Sequence, residues 1–263
     1  MTKMKRAFKK AENTSITVNR ALDILGVFLE REGGLSLSEI SDATGLNAAT
    51  AYRLLSTLAG RGYLRQHEKK ATYSLGLKML DFHCAVRRDL KFIDLAYLSM
   101  SRLSKEYNQS VYLAAVDADS ALVIEEVGIT EDLRINSPVG KRLPLHCTAC
   151  GKVLLASLTE EQRRAYYARN PLGSLTSNTI TNVDSLEEEL VKVKSEGVAF
   201  DNEEYRMGLW IAAAPVYNGN GDIMAAAGIM VPTSEVDAST ARKFGTAIKS
   251  CAAMISQAVA RIS

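Results

Sequence analysis

Cysteine is scarce in this chain: Cys84, Cys147, Cys150 and Cys251 are the only four among 263 residues. So few thiols in so long a chain do not make a disulfide framework. The basic start, MTKMKRAFKK, is not followed by the apolar segment of a secretory signal, so the expected compartment is a reducing cytoplasm. No apolar run approaches the roughly 18 residues that a membrane-spanning helix needs. Also missing are a G-x-S-x-G nucleophile elbow, a phosphate-binding P-loop and an H-E-x-x-H zinc motif. Hydrolase chemistry is therefore not expected, and the chain is read as a non-enzyme without a cofactor.

One further absence is local. Between Asn47 and Gly62 there is no carboxylate at all, whereas a solvated helix face usually mixes Glu with Lys. The segment around it reads as a helix, a turn at Gly45 and a second helix, with Ser38 expected to cap the first and Asn47 the second. In the second helix Ala51, Leu54, Leu55 and Leu58 repeat at i, i+3, i+4 and i+7, which makes one buried stripe. At about 100° per residue the opposite face carries Ala49, Arg53 and Ser56, flanked by Thr50, Tyr52 and Thr57. A small, hydroxyl-bearing, cationic face suits the DNA major groove, where Arg reads guanine and hydroxyls reach bases or phosphates.

The charge distribution agrees. Residues 1–75 hold 12 Lys/Arg against 7 Asp/Glu, and the remainder 20 against 23, which gives the net +2. A basic head on a mildly acidic body fits a DNA-binding unit joined to a regulatory one.

In order along the chain, residues 1–14 read as a basic disordered arm carrying Lys3, Lys5, Arg6, Lys9 and Lys10. A helix from Thr17 places Ala21, Leu22, Leu25, Phe28 and Leu29 on one face and ends by Gly33-Gly34. After the second helix of the pair, two short strands flank a charged turn, putting Arg65, His67, Lys69 and Lys70 on or beside a wing. Residues 15–76 are thus expected to form a winged helix-turn-helix domain. A linker helix over 77–91 follows, with Cys84 read as a small packing residue.

The period then changes. Strands over 110–116, 121–127 and 133–137, a loop to His146, and helices over 148–158, 159–168 and 184–196 follow, the last opened by Asp184 with Glu187 in capping-box position. Asn218-Gly219-Asn220-Gly221-Asp222 joins two apolar strands, Leu209 to Tyr217 and Ile223 to Val231, and Pro215 argues for an edge position or a bulge. A closing helix buries Phe244, Ile248, Cys251, Ile255 and Val259. The whole is α+β, with residues 92–263 an antiparallel sheet with helices.

His146-Cys147-Thr148-Ala149-Cys150-Gly151 admits three readings. One is a metal-binding sensor completed by Asp201; another is a thiol oxidoreductase using Cys147 and Cys150. The third uses the backbone: small residues at a helix N-terminus leave N–H groups free for a carboxylate.

The stretches VNRALDIL (18–25), LSEISDATGLNAATAYRLLSTLAGRGYL (37–64), YSLG (73–76), PVGKRLPLHCTACGKVLLA (138–156) and FDNEEYRMGLWIAAAPVYNGNGDIMAAAGI (200–229), in this order, resemble the IclR family of bacterial transcriptional regulators. The resemblance implies a winged helix-turn-helix head, a linker helix and a GAF-like effector-binding domain. It implies a homodimer through the head, or a homotetramer, on a pseudo-palindromic double-stranded operator, responding to a small-molecule effector such as an organic acid. Family pocket positions fall on Ile135, Leu143, Ala149, Cys150, Gly151, Asp201, Ile211, Gly228 and Met230. Members that bind small hydroxy- or keto-acids place hydroxyls near Gly228 and Met230. Their loss here, with a bulky Ile211, points to a larger, partly apolar acid such as an aromatic one.

Overall fold

The computed structural model describes residues 14–29, 31, 33–67, 71–128 and 139–261. They form two compact units that divide between Leu90 and Lys91. The basic arm, Lys69, Lys70, Ile135 and the strand expected over 133–137 lie outside the described residues.

The first unit contains α1 (Ile16–Val27), β1 (Leu35–Ser36), α2 (Leu37–Thr44), α3 (Ala48–Gly60), β2 (Leu64–His67), β3 (Thr72–Leu75) and α4 (Lys78–Asp89). The three strands pair antiparallel in the order β1-β3-β2. Ile24, Phe28, Leu35, Ile40, Leu55, Leu64 and Tyr73 make its core. Each such fully buried aliphatic side chain contributes about 1.5–3 kcal/mol.

The expected face of α1 is corrected at Leu22 and Leu29, which point to solvent; Phe28 is buried as expected, and Ile24 is buried with it. The cap of α2 is Ser36, not Ser38. Ser36 stands three residues before Glu39, and the two exchange the reciprocal bonds of a capping box, a spacing Ser38 lacks. Gly45 ends α2 in the left-handed region and Asn47 caps α3, as expected. In α3 Ala51 and Leu55 are buried, with Leu54 and Leu58 half-buried beside them. The wing closes where the Gly76 N–H donates to the Tyr63 carbonyl at 2.8 Å. A Cβ on Gly76 would overlap the Gly62 carbonyl oxygen, so only glycine permits that approach. No residue of α4 is buried, and Cys84 on it is exposed; its expected packing role is corrected.

The second unit is a six-stranded antiparallel sheet in the order β6-β5-β4-β9-β8-β7. Its strands are β4 (Ser110–Asp117), β5 (Ser120–Val127), β6 (Arg142–Pro144), β7 (Ala199–Asn202), β8 (Leu209–Tyr217) and β9 (Ile223–Pro232). Its helices are α5 (Phe92–Tyr107), α6 (Ala149–Ala156), α7 (Glu160–Arg169), α8 (Val183–Glu196) and α9 (Ala238–Ala260). Alternation along β8 sorts them between two faces. Trp210 meets Phe244 of α9, with ring centroids 6.2 Å apart, while Ile211 and Ala213 join the core beneath α6. Pro215 lies in an interior strand, yet β7 has already ended opposite Ala213, so no ladder bond to β7 is lost. The cap of α8 is Asn182 rather than Asp184; Glu187 instead receives Arg163 and Tyr167 from α7. Among the described residues no helix is long and apolar enough to cross a membrane.

Two glycine substitutions should move stability in opposite directions. Gly76→Ala should lower it by more than about 2 kcal/mol through the clash at Gly62. Gly60→Ala, in the last turn of α3 with nothing within 4 Å of the new Cβ, should leave it unchanged or raise it by up to about 1 kcal/mol. Thermal unfolding of the two variants beside the parent protein checks both signs.

Candidate functional site

On α3 the side chains of Asn47, Ala49, Tyr52, Arg53, Ser56 and Thr57 are exposed and Thr50 is half-buried, so the carboxylate-free face stands in solvent. Not every hydroxyl and amide there is free. Asn47 Oδ1 accepts the Thr50 N–H at 2.9 Å as the helix cap, and the Thr57 hydroxyl donates to the Arg53 carbonyl at 2.9 Å. Arg53, Ser56 and Ala49 stand exposed on the same face. Arg65 is exposed on β2, and His67 is tied to Ser74 across the wing at 2.9 Å.

In the second unit the expected pocket residues converge on the start of α6. Leu143, Ala149, Cys150, Ile211 and Met230 belong to one buried cluster. Asp201 stands opposite Ile211, which stands opposite Met230, across β7, β8 and β9. Gly228 lies opposite Tyr112 of β4. A Cβ on Gly228 would come within 2.9 Å of the Tyr112 ring and 3.0 Å of Cys150 Sγ, so the phenol takes the volume a side chain would fill. Gly151 is corrected. Its N–H donates to the capping Thr148 hydroxyl at 3.2 Å, and its Cβ would sit 2.6 Å from Leu145, so it serves close packing and not the ligand. At this helix start the Gly151 N–H is capped, while the N–H groups of Ala149 and Cys150 have no partner among the described residues.

Asp201 is fully buried. Its Oδ1 accepts the N–H groups of Glu204 and Tyr205 at 2.8 and 3.2 Å, whereas its Oδ2 has no partner. Burial pushes its carboxyl up to about 7, against the pull of those two N–H bonds. The Tyr112 hydroxyl is likewise buried, against the Cys150 thiol, which donates to the Ala226 carbonyl at 3.6 Å. Glu126, opposite Tyr112 on β5, has a buried Oε1 without a partner, and burial raises its carboxyl too. The turn after Asp201 is held from two sides. Lys152 of α6, itself buried, donates to Glu204 at 2.6 Å and Glu189 at 3.3 Å, and the Thr176 and Thr179 hydroxyls donate to the Glu203 and Glu204 carbonyls.

The thiol and metal readings find no support in this geometry. Burial pushes Cys147 and Cys150 up to about 12, which suppresses the nucleophilic thiolate. His146 is bonded to the Gly173 carbonyl at 3.0 Å, and the described residues hold no cluster of three His, Cys, Asp or Glu suited to a metal.

The exposed, carboxylate-free face of α3 in one unit and the buried start of α6 in the other fall within two family models. The IclR helix-turn-helix domain matches residues 17–68, and the model of the bacterial transcriptional regulator IclR C-terminal matches 84–257. The chain belongs to the IclR family. It is a DNA-binding transcriptional regulator with a C-terminal ligand-binding domain. The XynR regulator of Escherichia coli is 30% identical over 243 residues, 92% of this chain and 96% of that protein. The crystal structure of the Thermotoga maritima IclR aligns with a TM-score of 0.77 at 27% identity, covering 93% of this chain and 98% of that one. An IclR homologue from Microbacterium hydrocarbonoxydans, crystallised with 4-hydroxybenzoate, shares the fold with a TM-score of 0.84 at 20% identity, covering 94% and 100%.

Reading the sequence missed Tyr112, which looked like one more apolar position of β4. The signal that would have found it is Gly228, since a glycine inside a strand marks a close approach.

The Asp201 carboxyl makes IclR-fold stability depend on pH. Its folded value lies above the ordinary 3.8, so the folded state holds an extra proton between about 4 and 7. Its contribution is fully present below about 4 and is lost as pH rises through about 7. Asp201→Asn should therefore be more stable than the parent by a few kcal/mol, roughly, at pH 8 and no more stable at pH 4. Urea unfolding at the two pH values measures the difference.

Proposed function

We propose that this IclR-family regulator reads a pseudo-palindromic operator with α3 and is controlled by an aromatic or otherwise partly apolar carboxylic acid bound at the start of α6. The observation that carries the effector reading is the pair of free N–H groups at Ala149 and Cys150. Ala149 and Cys150 are buried in one apolar cluster with Leu143, Ile211 and Met230. Small side chains there let a carboxylate approach, and the helix N-terminus favours its charge. The 4-hydroxybenzoate in the Microbacterium homologue supports the same ligand class. A cavity of about 930 Å³ lies at the opposite end of α6, beside Val153, Ala156, Tyr217 and Met224, and shares none of these polar groups.

The working form is a homodimer or homotetramer in the cytoplasm. Large apolar side chains left exposed on the head, Val18 and Leu22 of α1 and Leu80, Phe82 and Val86 of α4, support self-association. On DNA, Arg53 is the base-reading cation, with Asn47, Ala49, Thr50, Tyr52, Ser56 and Thr57 around it; Arg65, Lys69 and Lys70 of the wing meet phosphates.

Two measurements test this. Fluorescence anisotropy on DNA from the upstream region of the protein's own gene, with random DNA as competitor, should show specific binding at about 150 mM salt. Arg53→Ala should lose about 1–3 kcal/mol of that discrimination while retaining salt-dependent binding to random DNA. Calorimetric titration should give tighter binding of 4-hydroxybenzoate than of glyoxylate or pyruvate. Binding of the two- and three-carbon acids alone would sink the effector reading.

A further inference from the structure

The cavity of about 930 Å³ at the C-terminal end of α6 has apolar walls: Val153 and Ala156 of α6, Val193 of α8, Pro215 of β8 and Ile223 of β9. Val153, Ala156 and Val193 belong to the same buried cluster as the start of α6, so the core itself fixes these walls. Such a volume is that of a small-molecule site, roughly 300–1,000 Å³, mostly apolar with a few placed polar groups. Charge is balanced at the rim, where Lys194 and Asp222 are both exposed. Most other polar groups there are engaged. Asn218 Oδ1 accepts the N–H groups of Asn220 and Asp222, each at 2.9 Å, and the Ser157 hydroxyl donates to the Leu154 carbonyl at 2.6 Å. Gln162 Oε1 accepts the Thr159 N–H at 2.9 Å. The Gln162 amide N–H groups and the Tyr217 hydroxyl have no partner among the described residues. Two helices end beside the cavity, α6 at Ala156 and α8 at Glu196, and helix C-termini carry partial negative charge.

We propose that this cavity is a second ligand site, which takes a neutral, mostly apolar molecule carrying a hydrogen-bond acceptor, such as an aromatic ester or ketone. The two ends of α6 differ in chemistry. Its N-terminus favours an anion, and its C-terminal end, beside that of α8, disfavours one. A rim with one cation and one carboxylate gives a charged ligand no net compensation for the water it leaves. Apolar walls suit a ring or a branched chain. The Gln162 amide donates, as the Tyr217 hydroxyl can, and both match a carbonyl oxygen. The cavity shares no lining residue with the start of α6, so the two ligands bind at once. This assignment does not depend on the carboxylic-acid reading at the other end of the helix.

Fluorescence titration of the full-length protein with methyl 2-naphthoate, beside 2-naphthoate, tests the site. The ester should bind the parent saturably, and at least about tenfold more tightly than it binds Ile223→Trp, whose indole fills the cavity. Met224→Glu, which puts a charge on the wall, should weaken the ester to a similar degree. Both positions are half-buried, so each variant should still melt cooperatively near the parent temperature and bind DNA as the parent does. Saturating 4-hydroxybenzoate should leave the ester bound, with its affinity changed by at most a fixed factor. Displacement of the ester in proportion to added acid would place both at the start of α6 and overturn the second site. So would the absence of saturable ester binding, or ester affinity undiminished in both folded variants. Binding of 2-naphthoate weakened by the two substitutions as much as that of the ester would overturn the neutral-ligand assignment. Ester binding that is lost in the variants, with no acid bound anywhere, would uphold the second site and sink the carboxylic-acid reading.

Discussion

Close approach of α6 to the sheet is the constraint on which the ligand-binding unit depends. Gly228 makes it possible by letting Tyr112 and Cys150 meet over β9, while Gly151 lets the first turn of the helix lie against Leu145 of the segment that enters it. Larger residues at either place would lift the helix away, and interiors at crystal-like density do not absorb such shifts without penalty. Because α6 lies so low, its N-terminus opens among strands rather than into water. Free N–H groups there face a dry environment, in which their attraction for an anion is strongest.

The second consequence concerns the turn after β7. Asp201 is held by the N–H groups of Glu204 and Tyr205, and Glu204 is held in turn by Lys152 of α6. A buried Lys–Glu pair adds little net stability, but losing one partner would leave an uncompensated charge and destabilise by about 3–5 kcal/mol. The pair therefore fixes where the turn sits relative to the helix. Thr176 and Thr179 pin the same turn from the segment between α7 and α8. These bonds tie the helix start, Asp201 and the segment between α7 and α8 to one turn.

Much of this architecture was legible in the sequence, for physical reasons that differ by element. The helix pair showed itself because its signals are local: the i, i+3, i+4, i+7 stripe of α3, the Asn47 cap and the Gly45 stop all act within a few residues. Errors fell where two local signals competed. Ser36 and Ser38 both qualify as caps, and only the spacing to Glu39 decides between them. For α1 the apolar count exceeded what one chain buries, so Leu22 was assigned to a core that Ile24 and Phe28 fill. Strand β7 escaped notice because four residues, Ala199–Asn202, are too short for a period to register. In the pocket, the family positions came from resemblance, but Tyr112 did not. Its role arises from a cross-strand neighbour more than a hundred residues away, and no window along the chain contains both.

The pocket is filled by its own side chains: Ile211 and Met230 are 3% and 5% exposed, and Cys150 is fully buried. A ligand entering it must part α6 from the sheet or reorder that packing, so binding and conformational change are one event. An effector shifts such an equilibrium only by the difference in its affinity for the two arrangements. Differences of about 1–3 kcal/mol change operator affinity ~5–150-fold. Bonds that a ligand makes to α6 and to the sheet at once supply energy of that order only while the two elements stay juxtaposed.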